Sequence, residues 1–117
     1  MDTPRELEWY LRDHLFRQAG KGRTRIARAE IAGEMISLYL RYRNYDPGQL
    51  AGLMTPVIDD LVSMRVLSQL EGGLLEAAPM TRMQCAKCFY VSYLAEAEPR
   101  VCQRCSGTEL GEFPKRK

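Results

Sequence analysis

The four cysteines of this chain fall in two pairs, Cys85-Ala-Lys-Cys88 and Cys102-Gln-Arg-Cys105, with thirteen residues between the pairs. A two-residue gap lets both thiolates of a pair face one point from a single tight turn. Two such turns brought together by a hairpin set four sulfurs around one tetrahedral centre, the ligand set of a closed structural Zn²⁺ site with one ion per chain. Iron is the competing metal, because a tetrahedron of sulfur suits both. The residues after Met80 are too few to bury a self-sufficient apolar core, so a metal is expected to supply the stability of that segment.

The whole chain has 117 residues and is 45% hydrophobic, which suits one small globular domain with a metal-stapled appendix rather than a disordered polymer. No apolar run approaches a membrane span and no secretory core follows the start, so a soluble cytoplasmic protein is expected. Paired Cys-x-x-Cys units in that setting favour metal over disulfides. Net charge is only +2, but it is unevenly placed. Residues 1–44 hold nine basic and six acidic side chains, residues 45–80 one basic and five acidic, and residues 81–117 seven basic and four acidic.

Along the chain, Thr3-Pro4-Arg5-Glu6 carries the signals of a helix start, with Thr3 as cap and Pro4 at the first helical position. Leu7, Leu11 and Leu15 follow at helical spacing, and Gly20 and Gly22 end the run. Trp9 and Phe16 fall on the opposite side, so this helix needs two partners, the second being the C-terminal module or another copy of the chain. Residues 21–28 read as a basic connector. A second helix is expected over 28–43, with Ile31, Met35, Leu38, Tyr39 and Tyr42 as its stripe. Asp46-Pro-Gly-Gln49 starts another, and Leu50, Leu53, Met54, Val57, Ile58, Leu61 and Val62 continue it. Pro56 interrupts this run, either kinking one helix or opening a second after a tight turn. The period then changes: residues 66–70 and 74–78 flank Glu71-Gly-Gly73 as a β-hairpin, ended by Pro79. The last residues, Pro114-Lys-Arg-Lys117, read as a frayed basic tail.

Helices followed by a Gly-Gly hairpin resemble a winged helix-turn-helix domain over roughly residues 5–80. The resemblance implies that Leu61 is the buried residue of the last helix and that Val66-Leu67 enters the first wing strand. Residues 83–113 resemble a zinc ribbon, in which each Cys-x-x-Cys forms a knuckle. That resemblance implies a strand at 89–94, Arg100-Val101 leading into the second knuckle, and a last strand at 109–113. Such knuckles usually carry Gly directly after the second Cys, where the chain needs a positive φ. Here Phe89 follows the first knuckle, and Ser106 follows the second with Gly107 one place late. The expected fold is thus α+β, a winged-helix-like domain over 1–80 and a zinc ribbon with its tail over 81–117.

No catalytic constellation is visible. His14 stands alone between Leu11 and Leu15 and reads as a packed helix residue. Asp59 and Asp60 are adjacent on a helix and point about 100° apart, a poor carboxylate pair. No glycine-rich phosphate loop follows a strand. An enzyme and a small-molecule substrate are therefore not expected. The architecture that the resemblances imply is that of a DNA-binding transcriptional regulator. Its phosphate contacts would come from Lys21, Arg23, Arg25, Arg28, Arg41, Arg43, Arg82, Lys87, Arg100 and Arg104, since the third helix offers Arg65 but also Asp59 and Asp60, and the wing offers Glu71 and no cation. The alternative is a protein-docking adaptor of a larger transcription or assembly complex, which the acidic helix-and-wing surface suits. Trp9 and Phe16 are the candidate interface for a partner or a homodimer.

Overall fold

The computed structural model describes residues 3–113. Among them are three α-helices and two three-stranded antiparallel sheets, a mixed α+β architecture. The side chain of Thr3 and the tail residues Lys115, Arg116 and Lys117 lie outside the described residues. The chain divides into two compact units, with the boundary between Ala78 and Pro79.

The first unit runs α1 (Thr3–Gly20), β1 (Arg25–Ala27), α2 (Arg28–Leu38), α3 (Pro47–Ser63), β2 (Leu67–Gln69) and β3 (Leu74–Ala77), with sheet order β1-β3-β2. Leu7, Leu11 and Leu15 of α1, Ile31 and Met35 of α2, and Leu50, Met54 and Leu61 of α3 are buried with Ile26, Leu67 and Leu75 of the sheet. The apolar stripe of each helix thus turns largely inward, the main source of helix stability in a domain of this size, but Leu38 and Leu53, expected in the stripes of the second and third helices, are 60% and 40% exposed.

All five residues 11–15 of α1 are buried, including Arg12, Asp13 and His14. Buried polar groups require partners, and each has them. Arg12 Nε donates to Glu8 at 3.1 Å. Asp13 accepts from Tyr39 Oη at 2.6 Å and from Arg17 Nε at 3.0 Å. His14 Nε2 lies 2.7 Å from Glu34 Oε1. Arg23 grips the same carboxylate with two nitrogens, at 2.9 and 2.6 Å. This network ties α1, the following loop and α2 together.

Two expectations for this unit are corrected and one open alternative is decided. Residues 21–28 are not simply a connector: Arg25–Ala27 form β1, antiparallel to β3, with Ile26 buried and Arg25 opposite Glu76. Three residues are too few to show an alternating pattern. The second helix ends at Leu38, not near Arg43. Tyr39 turns extended, and a 3₁₀ turn over Leu40–Tyr42 follows. Tertiary contacts decide this end, because Tyr39 reaches Asp13 while the buried Tyr42 ring meets Tyr10 edge-on at 5.4 Å. Finally, α3 continues through Pro56, so of the two alternatives one helix holds and no new helix opens there. Pro56 and Gly52 are both exposed, and the Gly52 carbonyl that loses its N–H partner is on the wet side of the helix. The Asp46 cap is present, its carboxylate accepting from the Gln49 N–H at 3.1 Å.

The hairpin expected around Glu71-Gly-Gly73 is present, closed by a 3₁₀ turn in which Gly72 and Gly73 have φ of 70° and 74°. In the second unit β4 (Met80–Cys85) is flanked by β5 (Val91–Ala95) and β6 (Leu110–Glu112), in the order β5-β4-β6. The central strand β4 precedes the first cysteine pair, where no strand was expected. The strand expected at 89–94 begins at Val91, because Phe89 sits at a φ of 63°.

Two predictions follow from the first unit. Pro56→Ala restores the missing hydrogen bond at an exposed site and raises the unfolding free energy by about 1–3 kcal/mol, read from urea denaturation. The hydrogen bond from Arg23 holds the Glu34 carboxyl below its usual range, with burial opposing it and His14 adding to it. A lowered folded-state value stabilises above the unfolded value near pH 4 and is lost as pH falls through the folded one. Acid below about pH 4 therefore weakens this unit, and Glu34→Gln shrinks that pH dependence while weakening the domain at neutral pH by about 1–3 kcal/mol.

Candidate metal centre

Cys85 is the last residue of β4, so the central strand carries the first ligand directly into a tight turn. In that turn the Phe89 N–H donates to Cys85 O at 3.0 Å and the Cys85 N–H to Tyr90 O at 3.0 Å. The second pair repeats the pattern, with Ser106 N–H to Cys102 O at 2.9 Å and Cys102 N–H to Gly107 O at 2.8 Å. The two loops are thus copies of one another, bond for bond. The first is pinned to β6 by the Ala86 N–H on Glu109 O at 2.8 Å. The second is tied to β5 by the Gln103 N–H on Ser92 Oγ at 3.2 Å and by Gln103 Nε2 on Tyr93 O at 3.3 Å.

The four sulfurs lie within 4.8 Å of one another, and these four cysteines could hold one metal ion. Cys85 and Cys105 are 3.6 Å apart and Cys88 and Cys102 3.5 Å apart. Four sulfurs about 2.3 Å from a central ion form a tetrahedron with edges of about 3.8 Å, so the donor set fits with small shifts of individual sulfurs. Backbone N–H groups point at the sulfurs as well: Lys87 to Cys85 at 3.4 Å, Arg104 to Cys102 at 3.4 Å and Cys105 to Cys102 at 3.5 Å. Donors of this kind stabilise thiolate charge around a bound ion.

The thiols respond to this setting. The Cys88 N–H, and after it the Lys87 N–H, hold the Cys85 thiol below its usual range despite burial. Burial raises the Cys102 thiol, but the N–H groups of Cys105 and Arg104 outweigh it and bring it down to about 6. At Cys88 the Tyr90 N–H pulls downward, yet burial and the neighbouring cysteines push the thiol up to about 11. Four thiolates this close repel unless a cation sits among them, which is the chemistry of a metal cluster.

Phe89 and Ser106, the residues directly after each pair, have φ of 63° and 64°. The backbone conformation that glycine usually supplies is therefore kept without glycine, at a cost of about 1–2 kcal/mol each. Gly107 has a different reason. A Cβ there would lie 3.3 Å from Cys105 Sγ and 3.6 Å from Cys85 Sγ, against the ligands themselves. The sequence shows the displaced glycine but not this crowding, which only the folded loop reveals.

Several of the candidate phosphate-binding cations are engaged within their own unit. Arg23 is held by Glu34, Arg25 pairs with Glu76 at 3.3 Å, Arg28 with Asp59 at 2.7 Å and Arg41 with Glu6 at 2.7 Å. Lys21 and Arg43 are exposed. In the second unit Arg82 lies over the Phe113 ring at 5.4 Å and Arg104 over Tyr90 at 6.0 Å. Arg100 approaches Met83 Sδ at 3.0 Å, while Lys87 is exposed beside the first cysteine pair. Trp9 meets Tyr10 edge-on at 5.1 Å, and both Trp9 and Phe16 are half-buried. Among the described residues no helix is long and apolar enough to cross a membrane. Comparison with known protein families, with curated proteins and with solved structures finds no match.

The two non-cysteine positions give opposite expectations. Ser106→Gly relieves the left-handed backbone and tightens metal binding by up to about tenfold. Gly107→Ala presses a methyl group on two ligand sulfurs and weakens it. Competition with a chromophoric chelator measures both.

Proposed function

We propose that the chain is a non-enzymatic docking adaptor of a transcription or assembly complex, built from a winged helix and a zinc ribbon. The ion we assign is one structural Zn²⁺ on Cys85, Cys88, Cys102 and Cys105. Four thiolate ligands leave zinc no open position for water or substrate, so the metal's role is to hold shape. A zinc-loaded protein is colourless, whereas iron in the same site would absorb strongly in the visible. The winged-helix reading is supported by helices leading into a Gly-Gly hairpin, by the full burial of Leu61 and by the entry of Leu67 into the first hairpin strand.

One observation carries the choice of a protein partner over DNA. Arg23, Arg25, Arg28 and Arg41 spend their charge on carboxylates of the same unit, while exposed Asp60 of α3 and Glu71 of the hairpin have no counter-ion among the described residues. The helix and turn that would enter a DNA groove therefore present net negative charge. Phosphates repel such a surface and a basic protein surface attracts it. The reading of a DNA-binding regulator keeps one point in its favour, since Lys21, Arg43 and Lys87 remain exposed and without carboxylate partners among the described residues.

Fluorescence anisotropy with labelled random duplex DNA, titrated across salt, separates the two. The adaptor reading predicts no saturable binding even at low salt. A linear fall of log affinity with log salt, with a slope of several phosphates and a loss on replacing Lys21 and Arg43 by alanine, would establish DNA binding instead.

A further inference from the structure

The second unit has a groove beside its metal loops that the cysteines do not explain. It has a volume of about 670 Å³ and runs along β6, from the first cysteine loop to the end of the strand. Phe89 and Phe113 both line it. Phe89 is 69% exposed, among the most exposed large apolar side chains described. It also occupies a left-handed backbone position that glycine would hold without strain. Gln84 Nε2 braces that conformation by donating to Phe89 O at 3.0 Å. An exposed ring kept at a strained position points to a use for the ring itself.

Residues of β6, an edge strand of its sheet, line the groove together with Gln84 and Cys85 of β4. Among the described residues β6 pairs only with β4, so its outer side offers backbone groups to another strand, apart from the Leu110 N–H, which donates to Thr108 O at 3.2 Å. Glu109 and Glu112 line the groove, both exposed and neither ion-paired among the described residues, and no basic side chain lines it. This charge argues for one occupant. Two copies pairing edge to edge would bring four like carboxylates together, and nucleic acid would meet them with its own negative charge.

We propose that this groove docks an extended basic segment of a protein partner, which adds a strand to β6, places apolar side chains against Phe89 and Phe113, and sets lysine or arginine beside Glu109 and Glu112. Strand addition takes affinity from main-chain hydrogen bonds and specificity from alternate side chains. The proposal rests on the adaptor reading and names the chemistry of its partner.

The test uses the full metal-loaded chain, ¹⁵N-labelled, and a short synthetic peptide of alternating valine and lysine, with a valine–glutamate peptide as the control. The lysine peptide should shift the amides of Leu110, Gly111 and Glu112 saturably, and the glutamate peptide should not. Phe89→Gly relaxes the backbone and so keeps the metal, verified by its stoichiometry, yet it should weaken the lysine peptide about tenfold or more. Glu109→Gln with Glu112→Gln should weaken it as well. Unchanged affinity in Phe89→Gly, or no shifts along β6, overturns the proposal. Shifts centred on Asp60 and Glu71 would sink this site while leaving the adaptor reading in place. Salt-dependent duplex DNA binding with no response to either peptide would remove the adaptor reading itself.

Discussion

Four sulfur atoms held within bonding reach of one point are the constraint on which the second unit depends. Its sheet has three short strands, and its buried apolar side chains are few: Met83, Tyr93, Leu94 and Ala95 besides the cysteines. So small a core does not offset the entropy of ordering the chain around it. An ion held by the four cysteines would, because thiolates that repel one another without it would become its ligands. The matching hydrogen bonds of the two cysteine loops show the backbone arranged around that requirement. The left-handed Phe89 and Ser106 show it maintained where the local residue opposes it.

The first unit solves its stability differently, by conventional burial plus one buried polar network. Asp13, His14, Glu34, Arg23 and Tyr39 each find partners, so α1 buries charge without leaving a donor or acceptor stranded along this chain of contacts. That network also spends charge. An arginine gripping Glu34 with two nitrogens is not poised for a phosphate. The same holds, more weakly, for the more exposed pairs of Arg25 and Arg28, where solvent screens the attraction. Fold stability and surface electrostatics are thus coupled, and the coupling shapes what this unit can bind.

Much of this was legible in the chain itself. The cysteine spacing located the cluster, Asp46-Pro-Gly-Gln49 located the start of α3, and Glu71-Gly-Gly73 located the hairpin, because each is a local signal with a local cause. What was not legible depends on contacts between distant residues. β1 exists because residues near Glu76 pair with it, and α2 stops at Leu38 because Tyr39 and Tyr42 have partners on α1. The run of basic residues from 21 to 28 reads as free positive charge until the fold sets Glu34, Asp59 and Glu76 against its arginines. Phe89 looked like a mere departure from a glycine pattern, and only its exposure beside an open strand edge gives it significance.

The most direct measurement is a chelator titration of the ¹⁵N-labelled chain, followed residue by residue and paired with metal analysis of the starting material. The account predicts one bound ion per chain. On its removal the amides of residues 80–113 should collapse to unfolded positions while those of residues 5–78 hold theirs. A chain that carries no ion as purified, or whose residues 80–113 keep their dispersed signals after complete chelation, would contradict it.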